Sequence, residues 1–166
     1  MDRSRALEVI RLKRIQIDAE KCSGCRFCEM VCSFQHSGKF SPSLSRVTVI
    51  KEDKHGFDYP VICHHCNHCP PIDACPTGAL SRNQLGMIRL DVETCTKCGS
   101  CVNVCTFKAL KMDDLSKPIV CDLCGGDPAC VKRCPTGAMV FSESEPSFEP
   151  LEKVRDNLLR RWGIID

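Results

Sequence analysis

Sixteen of the 166 residues are cysteine, and they fall into four groups of four with none left over. Group one is Cys22, Cys25, Cys28 and Cys32, and group three is Cys95, Cys98, Cys101 and Cys105. Both have the spacing C-x2-C-x2-C-x3-C. Three thiolates on so tight a loop can reach three irons of one [4Fe–4S] cube, while the fourth, on the helix that follows, faces a neighbouring cube. Group two is Cys63, Cys66, Cys69 and Cys75, in "CHHCNHCPPIDACPTGAL". Group four is Cys121, Cys124, Cys130 and Cys134, in "CDLCGGDPACVKRCPTGAM". Each of these carries a proline-containing insertion in one loop and ends in Cys-Pro-Thr-Gly-Ala. They read as cluster sites with lengthened spacers.

The elements that must hold these loops leave their own traces. "RIQIDAEKCSGC" (14–25) matches "MIRLDVETCTKC" (87–98), and "CPTGAL" (75–80) matches "CPTGAM" (134–139). Two kinds of unit are therefore each used twice, with a strand-like alternating stretch ahead of groups one and three. Small residues in the loops (Ser23, Gly24, Gly99, Ser100) let backbone approach sulfur closely. "SRVTVIKED" predicts a strand over 46–51 and "KHGFD" a turn. That segment reads as a ribbon covering a cluster, with partner docking as the alternative. In the tail, Leu151, Val154, Leu158 and Trp162 form one helical stripe and Gly163 suits its stop. The stripe packs either on this chain or on a partner.

Composition narrows the chemistry. One Trp, one Tyr and seven Phe are few large aromatics for this length. Bound metal can supply the missing stability, because binding to the folded state is itself folding free energy. The N-terminus has no apolar leader region and no twin-arginine pair, and no run is long enough to span a membrane. These features point to a cytoplasmic protein in which thiols bind metal and do not cross-link. The net charge of +2 gives no reason to expect nucleic acid. Arg3, Arg5, Arg11, Lys13 and Arg14 read as a solvated surface that offsets the negative charge of thiolate-bound clusters. Tetrahedral zinc in CxxC pairs and disulfides are the structural alternatives. His64, His65 and His68 read as loop side chains or tuners of a nearby cluster, with iron ligation the alternative. No phosphate-binding glycine loop, HExxH or GxSxG is present, so no catalytic site is expected.

The order and spacing of the four groups resemble the four-cluster, ferredoxin-like electron-transfer subunits of molybdenum and tungsten oxidoreductases, over roughly residues 12 to 142. "CSFQHSGKFSPSLSRVTVIKED" followed by "YPVICHHC" is most similar to the small subunits accompanying tungsten aldehyde oxidoreductase-type enzymes, tungsten benzoyl-CoA reductase included. The resemblance implies an α+β fold of two interleaved bacterial-ferredoxin-like 2[4Fe–4S] modules with a C-terminal helix. One module is 12–60 plus 113–142, the inserted one 61–112, and the helix 147–162. It implies pairing of group one with four and of two with three. Four [4Fe–4S] clusters would then sit on Cys22, Cys25, Cys28 and Cys134; on Cys63, Cys66, Cys69 and Cys105; on Cys95, Cys98, Cys101 and Cys75; and on Cys121, Cys124, Cys130 and Cys32. The implied partners are a large tungsten- or molybdenum-pterin catalytic subunit and a ferredoxin or flavoprotein. A stand-alone polyferredoxin, a subunit of a formate dehydrogenase, hydrogenase or dimethyl sulfoxide reductase-type complex, and a zinc-stabilised or redox-sensing module are the other readings. Protein isolated without oxygen should be brown, with visible absorbance bleached by dithionite; a colourless, zinc-loaded protein would contradict the iron–sulfur reading.

Overall fold

The computed structural model describes residues 13–143 and 149–166. Arg3, Arg5 and Arg11, and the first two residues of the expected tail helix, lie outside them. Four short antiparallel strand pairs carry the backbone: β1 (Lys13–Ile17) with β8 (Met139–Glu143), β2 (Val47–Glu52) with β3 (Phe57–Ile62), β4 (Leu80–Arg82) with β5 (Ile88–Leu90), and β6 (Lys111–Met112) with β7 (Pro118–Ile119). The helices are α1 (Phe27–Ser37), α2 (Pro70–Asp73), α3 (Ser100–Val104), α4 (Ala129–Lys132) and α5 (Leu151–Arg161).

The strand pairs and the cysteine groups alternate along the chain. The pairs β2–β3, β4–β5 and β6–β7 are hairpins that fill the three linkers between groups. The fourth pair, β1–β8, closes the chain's two ends on each other. It repeats β4–β5 in detail. Ile17 faces Met139 where Leu90 faces Leu80. The Asp18 amide donates to the Ala138 carbonyl at 2.8 Å, and the Asp91 amide to that of Ala79 at 2.8 Å. The sequence repeat is thus a structural one, built once from local and once from distant chain. The architecture is α+β and ferredoxin-like, with the expected C-terminal helix.

The core is half aliphatic and half sulfur. Ile15, Val47, Ile62, Leu80, Ile88, Leu123 and Met139 are buried in one cluster with Cys28, Cys32, Cys63, Cys69, Cys101, Cys105, Cys121 and Cys130. The expected strand at 46–51 is β2, and the turn leads to β3. The ribbon leans on α1, where buried Glu29 accepts the Val49 amide at 2.6 Å and pairs with Arg26 at 2.7 Å. A carboxylate so placed satisfies a strand amide that the helix would otherwise leave unpaired.

Two expectations are corrected. Arg14 is not solvated: it is 5% exposed on β1, and its guanidinium donates to the Asn67 side-chain oxygen at 2.7 Å and to the His65 carbonyl at 3.5 Å. Its side chain is covered where it ties β1 to the loop of group two. Trp162 does not extend the apolar stripe. The helix ends at Arg161, Gly163 takes φ +70°, and the indole is exposed while Leu158 and Leu159 are buried.

The stripe is covered by this chain. Val154, Asn157 and Leu158 line one hollow with Ile17, Ala19 and Tyr59. Arg161 pairs with Glu20 at 2.9 Å and Arg155 with Glu52 at 3.7 Å. Among the described residues, no helix is long and apolar enough to cross a membrane. Leu159→Ala should cost about 2–5 kcal/mol, read as an earlier thermal loss of visible absorbance. Val140→Ala, at a half-exposed position on β8, should leave that midpoint unchanged.

Candidate metal centres

The loop geometry is shared by all four groups. The residue two places after the first cysteine has a left-handed backbone each time: Gly24 (φ 61°), His65 (φ 50°), Lys97 (φ 59°) and Leu123 (φ 53°). This bends the chain back so that amides point at sulfur. The Lys97 amide lies 3.4 Å from Cys95 Sγ and the Leu123 amide 3.5 Å from Cys121 Sγ. From outside the loops, the Arg46 amide donates to Cys32 Sγ at 3.2 Å. Only Gly24 advertises the conformation in sequence. At the other three positions the surroundings impose it on a residue that resists it.

Two cavities are each lined by four thiols. Cys63, Cys66, Cys69 and Cys105 line one cavity, walled by Ile88, Phe107 and Leu110. Cys75, Cys95, Cys98 and Cys101 line another, with Leu80 and Leu90. Burial pushes the Cys22 thiol up, and negative charge on Cys25 and Cys134 adds to it, placing Cys134 within electrostatic reach of group one. Burial likewise pushes Cys130 up to about 12, with further contributions from Cys32, Cys124 and Cys28. Cys121 feels Cys63, Cys130 and Cys32. Cys32 and Cys28 of α1 therefore both lie within electrostatic reach of group four.

Two classes of thiol result. Buried Cys28 and Cys63 are pushed up to about 12, chiefly by burial. Such groups stay protonated unless a cation replaces the proton. The Cys98 thiol is lowered, chiefly by the Ser100 hydroxyl 3.3 Å away. At Cys134 burial opposes ionisation, but the Thr136 hydroxyl and the Met139, Thr136 and Ala138 amides outweigh it.

The three histidines of group two have different surroundings. The His64 ring tilts against Phe107, centroids 4.5 Å apart, at the edge of the cavity. His68 is 92% exposed, with Asp73 3.7 Å away. His65 is buried, and its Nδ1 accepts the Ile88 amide at 3.0 Å. Its proton therefore sits on Nε2, and burial together with Arg82 and Arg14 pushes its pKa down to about 4. The loop itself is clamped at its carbonyls. Arg82 donates to Cys66, to Asn67 at 3.2 Å and to His65 at 3.4 Å, opposite Arg14.

Three functional residues lacked a motif. Glu29 stands inside group one, where a buried carboxylate is rare, and its burial was the missing fact. Asp58, salt-bridged to Lys51 at 3.0 Å, braces the backbone at Gly24. His36 sits one helical turn beyond Cys32, a spacing that puts it on the same helix face.

All sixteen cysteines are free thiols. A sulfur-only donor set, gathered in fours under backbone amides, fits [4Fe–4S] cubes. A 4Fe-4S dicluster domain model matches residues 55–144, and a 4Fe-4S binding domain model matches 15–35. The chain belongs to the 4Fe-4S dicluster family.

This dicluster protein binds [4Fe–4S] clusters. It is 41% identical over 122 residues to the polyferredoxin-like subunit of an aliphatic sulfonate oxidoreductase of Pyrococcus furiosus, covering 72% of this chain and 70% of that one. It is 36% identical over 160 residues to YsaA of Escherichia coli, assigned by name to electron transport, covering 89% and 96%. Among solved structures it resembles the active site complex BamBC of benzoyl coenzyme A reductase with benzoyl-CoA bound, at 29% identity, TM-score 0.51 and 91% coverage of both chains. Relatives named as carriers or polyferredoxin subunits agree with a chain that moves electrons and has no catalytic site of its own.

Gly24 offers a local test. A methyl group there would collide with the Asp58 carboxylate and the Lys51 ammonium, at a φ of +61°. Gly24→Ala should lower iron content by about four atoms, those of one cube. Full iron content in the variant would show that the loop tolerates displacement.

Proposed function

We propose that this chain carries four [4Fe–4S] clusters and relays electrons between a tungsten- or molybdenum-pterin catalytic subunit and a ferredoxin or flavoprotein. The ligand sets are Cys22, Cys25, Cys28 and Cys134; Cys32, Cys121, Cys124 and Cys130; Cys63, Cys66, Cys69 and Cys105; and Cys75, Cys95, Cys98 and Cys101. Residues 61–112 then form a module inserted into one made of 12–60 and 113–142.

The matched strand closures carry this reading. The pair β1–β8 brings the Cys-Pro-Thr-Gly turn of group four beside the loop that opens at Cys22. The pair β4–β5 does the same for Cys75 and the loop that opens at Cys95. The same backbone hydrogen bond thus supports the delivery of Cys134 and Cys75 to groups one and three.

The order of the relay follows from shared elements. Helix α1 joins the first set to the second through Cys28 and Cys32. The electrostatic contact of Cys121 with Cys63 joins the second to the third. Helix α3, with Cys101 inside it and Cys105 at its end, joins the third to the fourth. When bound, each cube takes up or gives back one electron at a potential set by burial, charge and hydrogen bonds to sulfur. The protein's own part is to hold the thiolates, aim amides at them and exclude water from Cys63 and Cys121.

The partner reading rests on the BamBC likeness and the oxidoreductase-subunit relatives. The C-terminal helix is spent on this chain's own surface, so docking falls to other faces. Affinity purification of the native protein should retrieve a large subunit containing tungsten or molybdenum, with about sixteen irons on this chain. A lone chain would favour a free polyferredoxin. Zinc, or about eight irons, would overturn the four-cluster assignment.

A further inference from the structure

His36 lies on α1 four residues after Cys32, and its two ring nitrogens reach two cysteine groups. Nδ1 donates to the Cys32 carbonyl at 2.8 Å and lies 3.9 Å from Cys32 Sγ. Nε2 faces Asp122 Oδ1 at 3.0 Å and lies 3.9 Å from Cys124 Sγ. A carbonyl can only accept, so Nδ1 carries a proton. The Asp122 carboxylate also accepts the Cys124 amide at 3.0 Å, so it is the acceptor for a second proton on Nε2. The hydrogen bonds thus require an imidazolium. Its side chain is 12% exposed, so water screens the charge little.

The sister half lacks this arrangement. Cys105 stands at the end of α3 as Cys32 stands in α1, but Ala109 occupies the place four residues on. In the opposing loops, Asp122 of "CDLC" is matched by His64 of "CHHC". The sister loop has its own fixed cations, Arg14 and Arg82, but these donate to its backbone carbonyls, whereas His36 lies beside sulfur and is paired with a carboxylate.

We propose that His36, fixed between Cys32 and Cys124 by Asp122, is a positioning and tuning residue that raises the reduction potential of the centre held by Cys32, Cys121, Cys124 and Cys130. A cube gains negative charge on reduction, so an adjacent cation favours the reduced state and an adjacent anion opposes it. The inference rests on the ligand sets proposed above.

The test is a potentiometric titration followed by electron paramagnetic resonance on the cluster-loaded full chain. His36→Gln leaves the Asp122 charge uncompensated and should lower one potential by about threefold to tenfold in the one-electron equilibrium, tenfold being 59 mV. Asp122→Asn, measured near pH 6 where an ordinary histidine is charged, should raise the same potential by a similar factor. A merely structural ion pair would move both in one direction or neither, and either result overturns the proposal. If a variant fails to keep its clusters, wild-type protein labelled with ¹⁵N-histidine decides. A weak, non-bonded nitrogen coupling to one reduced centre supports the proposal. An iron-bound coupling, none at all, or a stoichiometric non-iron metal on His36, Asp122 and Cys124 overturns it. About sixteen irons with unshifted potentials would sink this inference alone, while a low iron count would sink the ligand sets beneath it.

Discussion

A thiolate cannot be buried by itself. Eight of the sixteen cysteines lie in the same buried cluster as the aliphatic core, and burial holds thiols such as Cys63 and Cys130 in the neutral state. A chain that places sulfur there needs cations to replace the protons, and the aliphatic side chains around it are too few to dispense with the metal. The short strand pairs, the left-handed loop residues and the amides aimed at sulfur all serve that single requirement. They also explain why so little regular structure suffices. Each pair has only to fix where one cysteine loop starts and where the next cysteine arrives.

The same requirement makes the fold repetitive. The β4–β5 hairpin and the β1–β8 closure are one unit, with matching registers and matching aspartate-to-alanine hydrogen bonds. One is formed by neighbours in sequence and the other by the two ends of the chain. Closing the distant version costs more conformational entropy, and Arg14 helps to hold it by reaching from β1 into the Cys63–Cys69 loop. The closure of β1 on β8 is therefore tied directly to the loop of group two. Charge is distributed unevenly over this even scaffold, through His36 and Asp122 on one side and the clamped histidine loop on the other.

Much of this was legible in the cysteines. Their spacing, and the repeats "DAEKC" against "DVETC" and "CPTGAL" against "CPTGAM", carry both the fold class and the twofold use of each unit. The β2 strand and the tail helix were legible from alternation and from the i, i+3, i+7 stripe. What escaped was whatever depends on which way a polar side chain faces. Arg14 looked like part of a basic run because charge says nothing about orientation on a strand whose partner is over a hundred residues away. Glu29 and His36 sit among cysteines on a helix. Their roles exist only once β2 and the Asp122 loop are packed against that helix. Trp162 fitted the stripe by spacing, but the helix ends one residue before it.

The central claim is that each cube takes three thiolates from one group and its fourth from another. Anomalous diffraction at the iron edge, from crystals of the cluster-loaded protein grown without oxygen, tests it directly. The account predicts four cubic iron peaks, with Cys134 on the cube of Cys22, Cys25 and Cys28, and Cys75 on that of Cys95, Cys98 and Cys101. A cube held by all four cysteines of a single group, or a zinc ion in place of one, would contradict it.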